Sequence, residues 1–203
     1  MICSFPGVFR GDNDMLKDFL MIAVLSAIVW AIVFAVKRGS IWRYTAWAVL
    51  SAYLVYVAYL TIFPIEINSS IQKAFAEEGW KITDSIVLIP FRDGISRDDF
   101  LNVIMAIPFG FLLPFVKKKA MWKTALTAGL IFGTTIELLQ LLQAAVQGYS
   151  FRYTDVSDVI CNLAGTLIGW AAAAATILLV QKRKAPDDNE KSLCSYIAQR
   201  CVK

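Results

Sequence analysis

The sequence predicts an all-α fold: a polytopic membrane helix bundle with five transmembrane helices, N-terminus outside and C-terminus inside. Three observations predict it. Of 203 residues, 58% are of hydrophobic type and only 18% are charged, more apolar sequence than a soluble core of this length requires. The apolar residues are gathered into runs, most of them close to the ~20 residues that cross ~30 Å of hydrocarbon. The basic residues fall in alternate connections between those runs, and that asymmetry orients them.

The first span, 19–36, is free of charge and is followed by Lys37 and Arg38. No basic stretch precedes it and no small cleavage-site residues follow it, so it reads as a retained span and not as a signal peptide. Residues 1–18 read as an external tail, in which Asp12, Asp14 and Asp18 outnumber Arg10 and Lys17. The second span, 44–65, follows a connection carrying Lys37, Arg38 and Arg43.

An external loop, 66–97, comes next. Its "NSSIQKAFAEEGW" opens on helix-capping residues and places Ile71, Phe75 and Trp80 for a short helix on the membrane surface. Its "SIVLIPF" is an apolar run that would dip into the outer leaflet. Ser96 with Asp99 three residues on has the spacing of a capping box, which starts the next helix near Arg97.

The third span, 98–116, has the shortest charge-free stretch. Pro108, Gly110 and Pro114 predict a bend there, with space opened beside it. Lys117, Lys118, Lys119 and Lys123 lie between its apolar run and that of the fourth span, 121–146, whose core from Thr124 onward is interrupted only by Glu137. The fifth span, 157–180, is followed by Lys182, Arg183 and Lys184. Residues 19–180 thus form the membrane domain. Residues 181–203 form a cytoplasmic tail, expected to be loosely ordered from Asp187 onward.

Composition also excludes chemistry. The chain has no histidine, so Ser-His and Cys-His catalysis, histidine metal ligation and histidine phosphorelay are ruled out. Cys3, Cys161, Cys194 and Cys201 are too scattered for a disulfide framework. The basic residues are dispersed among inside connections, which argues against nucleic acid as a partner.

A set of polar residues stands apart from this apolar background. Glu137 lies inside a span, where an ionisable side chain costs at least ~2.5 kcal/mol and turns toward protein. Gln140, three residues on, shares its face. Asp155, Asp158, Asn162, Gly165 and Gly169 are spaced by three, four, three and four, which makes one stripe on a helix. The stripe is polar at its outer end and glycine-lined deeper in, where Gly165 and Gly169 suit close helix packing. Asn102 reaches a similar depth, ~22 Å from the inside, counted at ~1.5 Å per residue. Arg152, in the short outer connection, is placed to pair with the acids or to grip a phosphate or carboxylate. Capping and inter-helix hydrogen bonds compete as explanations for each residue taken singly. Their common depth joins them into one candidate polar pocket open to the outside or to the outer leaflet.

These residues resemble a known family. Asn102 followed by "IPFGFLLP", then "IELLQ", then Arg152, Asp155, Asp158, Asn162, Gly165 and Gly169 in their spacing are similar to the VanZ-like family, with "YLTIFP" and "LIPF" fitting the same order. The resemblance runs from about Val55 to Trp170. It implies a multi-pass protein of the bacterial inner membrane, and its polar residues stand at Asn102, Glu137, Gln140, Arg152, Asp155, Asp158 and Asn162. Where many members have asparagine before "LIPF", this chain has Val87. The family is named for a member that raises resistance to the glycopeptide teicoplanin.

The expected function is recognition of a cell-wall precursor or lipid headgroup by the outward pocket, at the lipid bilayer, with a contribution to glycopeptide resistance. The alternative is a membrane enzyme acting on a lipid-linked envelope substrate. In that reading Glu137, Asp155 and Asp158 hold a divalent cation through oxygen ligands, or one carboxylate serves as general acid or base. No nucleophile motif accompanies them and no cofactor is specified. A transporter with a proton relay is a third reading, resting on Glu137 alone.

Overall fold

The computed structural model describes residues 20, 24, 26–34, 36, 40–62, 65, 67–92, 94–183 and 192–202. Among them, four helices are long and apolar enough to cross a membrane. These are α1 (Ile41–Ile62), α3 (Arg97–Val116), α4 (Trp122–Gln147) and α5 (Val156–Arg183). Two short helices, α2 (Ser69–Glu77) and α6 (Leu193–Ala198), lie between and after them. Residues 26–34 of the expected first span are helical. Residues 19, 21–23, 25 and 35, and the whole of 1–18, lie outside the described residues. The molecule is an all-α membrane helix bundle.

Helix α5 is the centre of the bundle. It packs along α3 and against α4, and glycines decide how closely. A Cβ added at Gly165 would stand 2.1 Å from the Val103 carbonyl oxygen, and one at Gly169 would stand 2.0 Å from that of Ile107. The approach is reciprocal, because a Cβ at Gly110 would meet the Thr166 carbonyl oxygen at 1.9 Å. No side chain fits at these three points, so the α3 and α5 backbones touch. Small residues are the means by which membrane helices gain van der Waals contact when lipid removes the hydrophobic drive between them.

The expected opening beside span three is therefore absent at the Gly110 level. Helix α3 runs through both Pro108 and Pro114 and is closed against α5 at Gly110. A proline removes one backbone donor, and the tightly packed neighbour holds the helix together across that gap.

Helix α1 leans on the α3 side. The Tyr53 hydroxyl donates to the Met105 carbonyl. Val57 of α1, Ala106 of α3 and Phe132 and Ile136 of α4 form one buried apolar cluster. Beside it Phe109 and Phe132 stack at 4.3 Å with rings 13° from parallel.

The two ends of the bundle differ. At one end, the connection after α1 forms α2, capped by Asn68, whose Oδ1 accepts from the Ser70 and Ile71 backbone. Gln72 of α2 donates to the carbonyl of Gln147, at the end of α4, at 2.7 Å. There α4 ends on Gly148, whose φ of 73° is the left-handed conformation that stops a helix and favours glycine. Phe75 contacts Trp80, Tyr149 and Phe151, so an aromatic group seats α2 on this end. The "SIVLIPF" run gives a two-residue strand β1 (Ile86–Val87), paired in parallel with β2 (Thr154–Asp155), Ile86 opposite Thr154 and Val87 opposite Asp155.

The opposite end overturns the expectation of a loose tail. Residues 192–202 are ordered against the bundle. The Tyr196 hydroxyl donates to the Phe115 carbonyl at the end of α3. Gln181 of α5 donates to the carbonyls of Ala198 and Arg200, at 3.0 and 2.8 Å. Cys201 makes a parallel bridge with Lys119: its N–H donates to the Lys118 carbonyl at 2.9 Å, and its carbonyl accepts from Ala120 N at 3.0 Å. Val202 packs with Ala174 and Ile177. Arg43, Lys117, Lys118, Lys119, Lys123, Lys182 and Arg183 are exposed around this end, which makes it the basic end.

Candidate functional site

The polar residues singled out in the sequence collect at the other, acidic end, where α3 and α5 begin and α1 and α4 finish. The start of α3 is set by the capping box: Ser96 Oγ accepts from Asp99 N at 3.2 Å, and Asp99 Oδ2 accepts from Ser96 N at 2.6 Å. Such a cap contributes about 1 kcal/mol, and here it also fixes where Asn102 falls, one turn further in. The Asn102 amide donates to the Asp158 carboxylate, in the first turn of α5.

The start of α5 is built from side chains as well. Asp155 Oδ1 accepts from Ser157 N at 2.7 Å, which caps the helix. Ser157 is buried, and its Oγ accepts from Phe91 N at 2.8 Å, tying the "SIVLIPF" run to α5. The Asp155 backbone N–H donates to Glu137 Oε2 at 2.9 Å. Glu137 is 5% exposed and sits well inside α4, so its carboxylate is directed at the β2–α5 junction and away from lipid. Val87, the departure from the family pattern, stands in register with Asp155.

Asn162 is one turn deeper on α5 and fully buried. Its Nδ2 donates to the Asp158 carbonyl at 2.9 Å, while its Oδ1 has no partner among the described residues. Gln140 and Arg152 form a second group. Both donate to one carbonyl, that of Thr61 at the end of α1, at 3.3 Å from Gln140 Nε2 and 2.6 Å from Arg152 Nη1.

Two expectations change. Arg152 is the expected charge partner of Glu137, Asp155 and Asp158, yet its guanidinium hydrogen bond among the described residues goes to Thr61. The charge neighbours of Asp158 are Asp155, Asp99 and Asp98, and those of Glu137 are Asp158 and Asp155. Among the described residues, no three His, Cys, Asp or Glu side chains gather in a way that could hold a metal ion. Glu137, Asp155 and Asp158 therefore make no cation cage, because Asp155 is turned onto its own helix end and Glu137 onto a backbone N–H.

The structure also adds residues that pattern reading passed over. Thr61 is an uncharged residue in an apolar run, and its role is carried by a backbone carbonyl that no sequence pattern reveals. Asp99 caps α3 but is also buried, 3.7 Å from the Cys161 sulfur, and so joins the acidic group. Its spacing from Ser96 signalled only the cap.

A family model described as VanZ/LLP1 matches residues 50–179. The chain belongs to the VanZ/LLP1 family. The match runs from within α1 to near the end of α5 and holds every residue of the candidate site, while α6 and residues 26–34 fall outside it. Protein VanZ of Enterococcus faecium is 28% identical over 120 residues, which cover 59% of this chain and 68% of that protein. No solved structure matches the chain. The VanZ/LLP1 region is thus the four-helix unit, with its acidic group at one end and its glycine seams below.

Proposed function

We propose that this VanZ/LLP1 protein resides in the bacterial cytoplasmic membrane with its acidic end outward, and there recognises the polar group of a cell-envelope molecule or lipid headgroup. Through that recognition it contributes to glycopeptide resistance, of the kind directed at teicoplanin. Exposed basic residues gathered at the opposite end support the orientation by the positive-inside rule.

One observation carries the reading. Asn102 of α3, Glu137 of α4 and Asp158 of α5 converge on one end of the bundle, through the Asn102–Asp158 bond and the Glu137–Asp155 bond. Polar groups at membrane depth are costly and are kept where they serve a function. The enzyme alternative has less behind it: among the described residues the acids make no metal cage.

The test is expression in a glycopeptide-susceptible host, with teicoplanin susceptibility compared for the native chain, Glu137→Gln and Asp158→Asn at matched membrane levels. A rise in resistance that both substitutions abolish is expected. Unchanged susceptibility with the native chain would remove the resistance role. Full activity in both variants would reduce the cluster to caps and helix contacts.

A further inference from the structure

The acidic group is rich in acceptors and poor in donors, and the buried Asn162 identifies what it lacks. Asn162 lies in the α4–α5 seam, since a Cβ at Gly133 of α4 would be 3.1 Å from its own Cβ. Glu137 is one turn from Gly133 on the same face of α4. Side chains of a helix lean toward its N-terminus, and the N-terminus of α5 is the end that carries Asp155 and Asp158. The Asn162 amide therefore points into the acidic group. Its Nδ2 is already used on the Asp158 carbonyl, and its Oδ1 is left as a fully buried acceptor with no partner among the described residues. A buried acceptor left unpaired is destabilising, because it has given up its bond to water and gained none.

The acids at this end of the bundle carry further acceptors. Glu137 engages one carboxylate oxygen through Asp155 N, and Asp155 engages one through Ser157 N. Asp158 takes the Asn102 amide. Each carboxylate has acceptor capacity beyond these bonds, as ionised carboxyl groups offer about four lone-pair sites. An anion would be repelled here. A metal ion would need three close ligands, which the described residues do not assemble. An ammonium group supplies positive charge and up to three N–H donors in diverging directions, and it accepts ligands spread more widely than a metal shell.

We infer that the acidic end binds an organic ammonium group, carried on a lipid headgroup or on a free amine of the envelope, with Glu137, Asp158 and the Asn162 Oδ1 as its acceptors. The inference rests on the recognition role proposed above and names the chemistry recognised.

The full chain, purified in detergent, is titrated with phosphatidylethanolamine, phosphatidylcholine, phosphatidylglycerol and free ethanolamine, and retained ligand is measured by native mass spectrometry. Phosphatidylethanolamine is expected to bind about tenfold more tightly than phosphatidylcholine, which has no N–H donor, or phosphatidylglycerol, which has no cation. Glu137→Gln and Asp158→Asn should each erase that preference, while Glu78→Gln, an exposed change elsewhere, should keep it. A melting curve for each variant separates loss of binding from loss of fold, and either variant that folds is sufficient. Binding of ethanolamine alone, with no gain from the lipid, supports the ammonium site and assigns it a soluble source. Equal binding of all three lipids, weakened by both variants, overturns the ammonium inference and leaves headgroup recognition standing. No binding of any of the four overturns the inference, and susceptibility unchanged by Glu137→Gln then removes the recognition role as well.

Discussion

Glu137 Oε2 and the backbone N–H of Asp155 are 2.9 Å apart, and this bond connects the middle of one membrane helix to the first residues of another. It makes Glu137 both a structural acceptor and a charge. Substitutions can separate the two. Glu137→Gln keeps an oxygen for the Asp155 N–H, so its melting temperature should stay near native. Glu137→Leu leaves that donor unpaired and should cost about 1–3 kcal/mol of stability. A leucine variant as stable as the native chain in thermal melts would show that the bond contributes nothing to the fold.

The glycine seams predict an order of severity. Gly110→Ala, Gly165→Ala and Gly169→Ala place a methyl group within 2.1 Å of a backbone oxygen, which cannot move without separating α3 and α5. Each should cost about 1–3 kcal/mol or more, the range for overpacking. Gly133→Ala meets its nearest atoms at 3.1 Å and should cost less. Melting midpoints for the four variants check the order, and equal values would contradict it.

The docked C-terminal segment predicts that the basic end matters far from the candidate site. Deleting residues 192–203 removes the bonds from Gln181 to Ala198 and Arg200 and from Tyr196 to Phe115. It should lower the melting midpoint and open the 117–121 connection to protease. Tyr196→Phe, which loses one hydroxyl bond, should cost only about 1 kcal/mol. Unchanged protease resistance after the deletion would count against the docking.

Orientation can be read with an impermeant maleimide in intact cells, in a cysteine-free background. Glu78→Cys, on the connection after α2, should label from outside. Lys118→Cys, at the basic end, should label only after permeabilisation. The reverse pattern would invert the protein and would turn the candidate site toward the cytoplasm.

The sequence by itself determined the class of fold and most helix boundaries. Length and apolarity dictate where lipid-compatible helices run, and the expected spans 98–116, 121–146 and 157–180 lie within three residues of α3, α4 and α5. The Ser96–Asp99 box and the Asn68 cap were legible because capping acts over three or four residues. So was the common face of Asp158 and Asn162, since helical periodicity is local, whereas Asp155 falls before α5, in β2, and caps it. What the tertiary structure decided are the contacts between helices. Pattern placed Glu137 at the depth of Asn102 and α5, but only packing chose the Asp155 N–H as its partner and left the Asn162 oxygen without one. Packing also sent Arg152 to a Thr61 carbonyl, because a backbone oxygen exposed at a helix end attracts a donor whatever the side chain on that residue. The ordered tail was invisible for the same reason: "SLCSYIAQRCV" is too short to span a membrane, and its order comes from surfaces on α3, α5 and the connection after α3 that exist only once the bundle has formed.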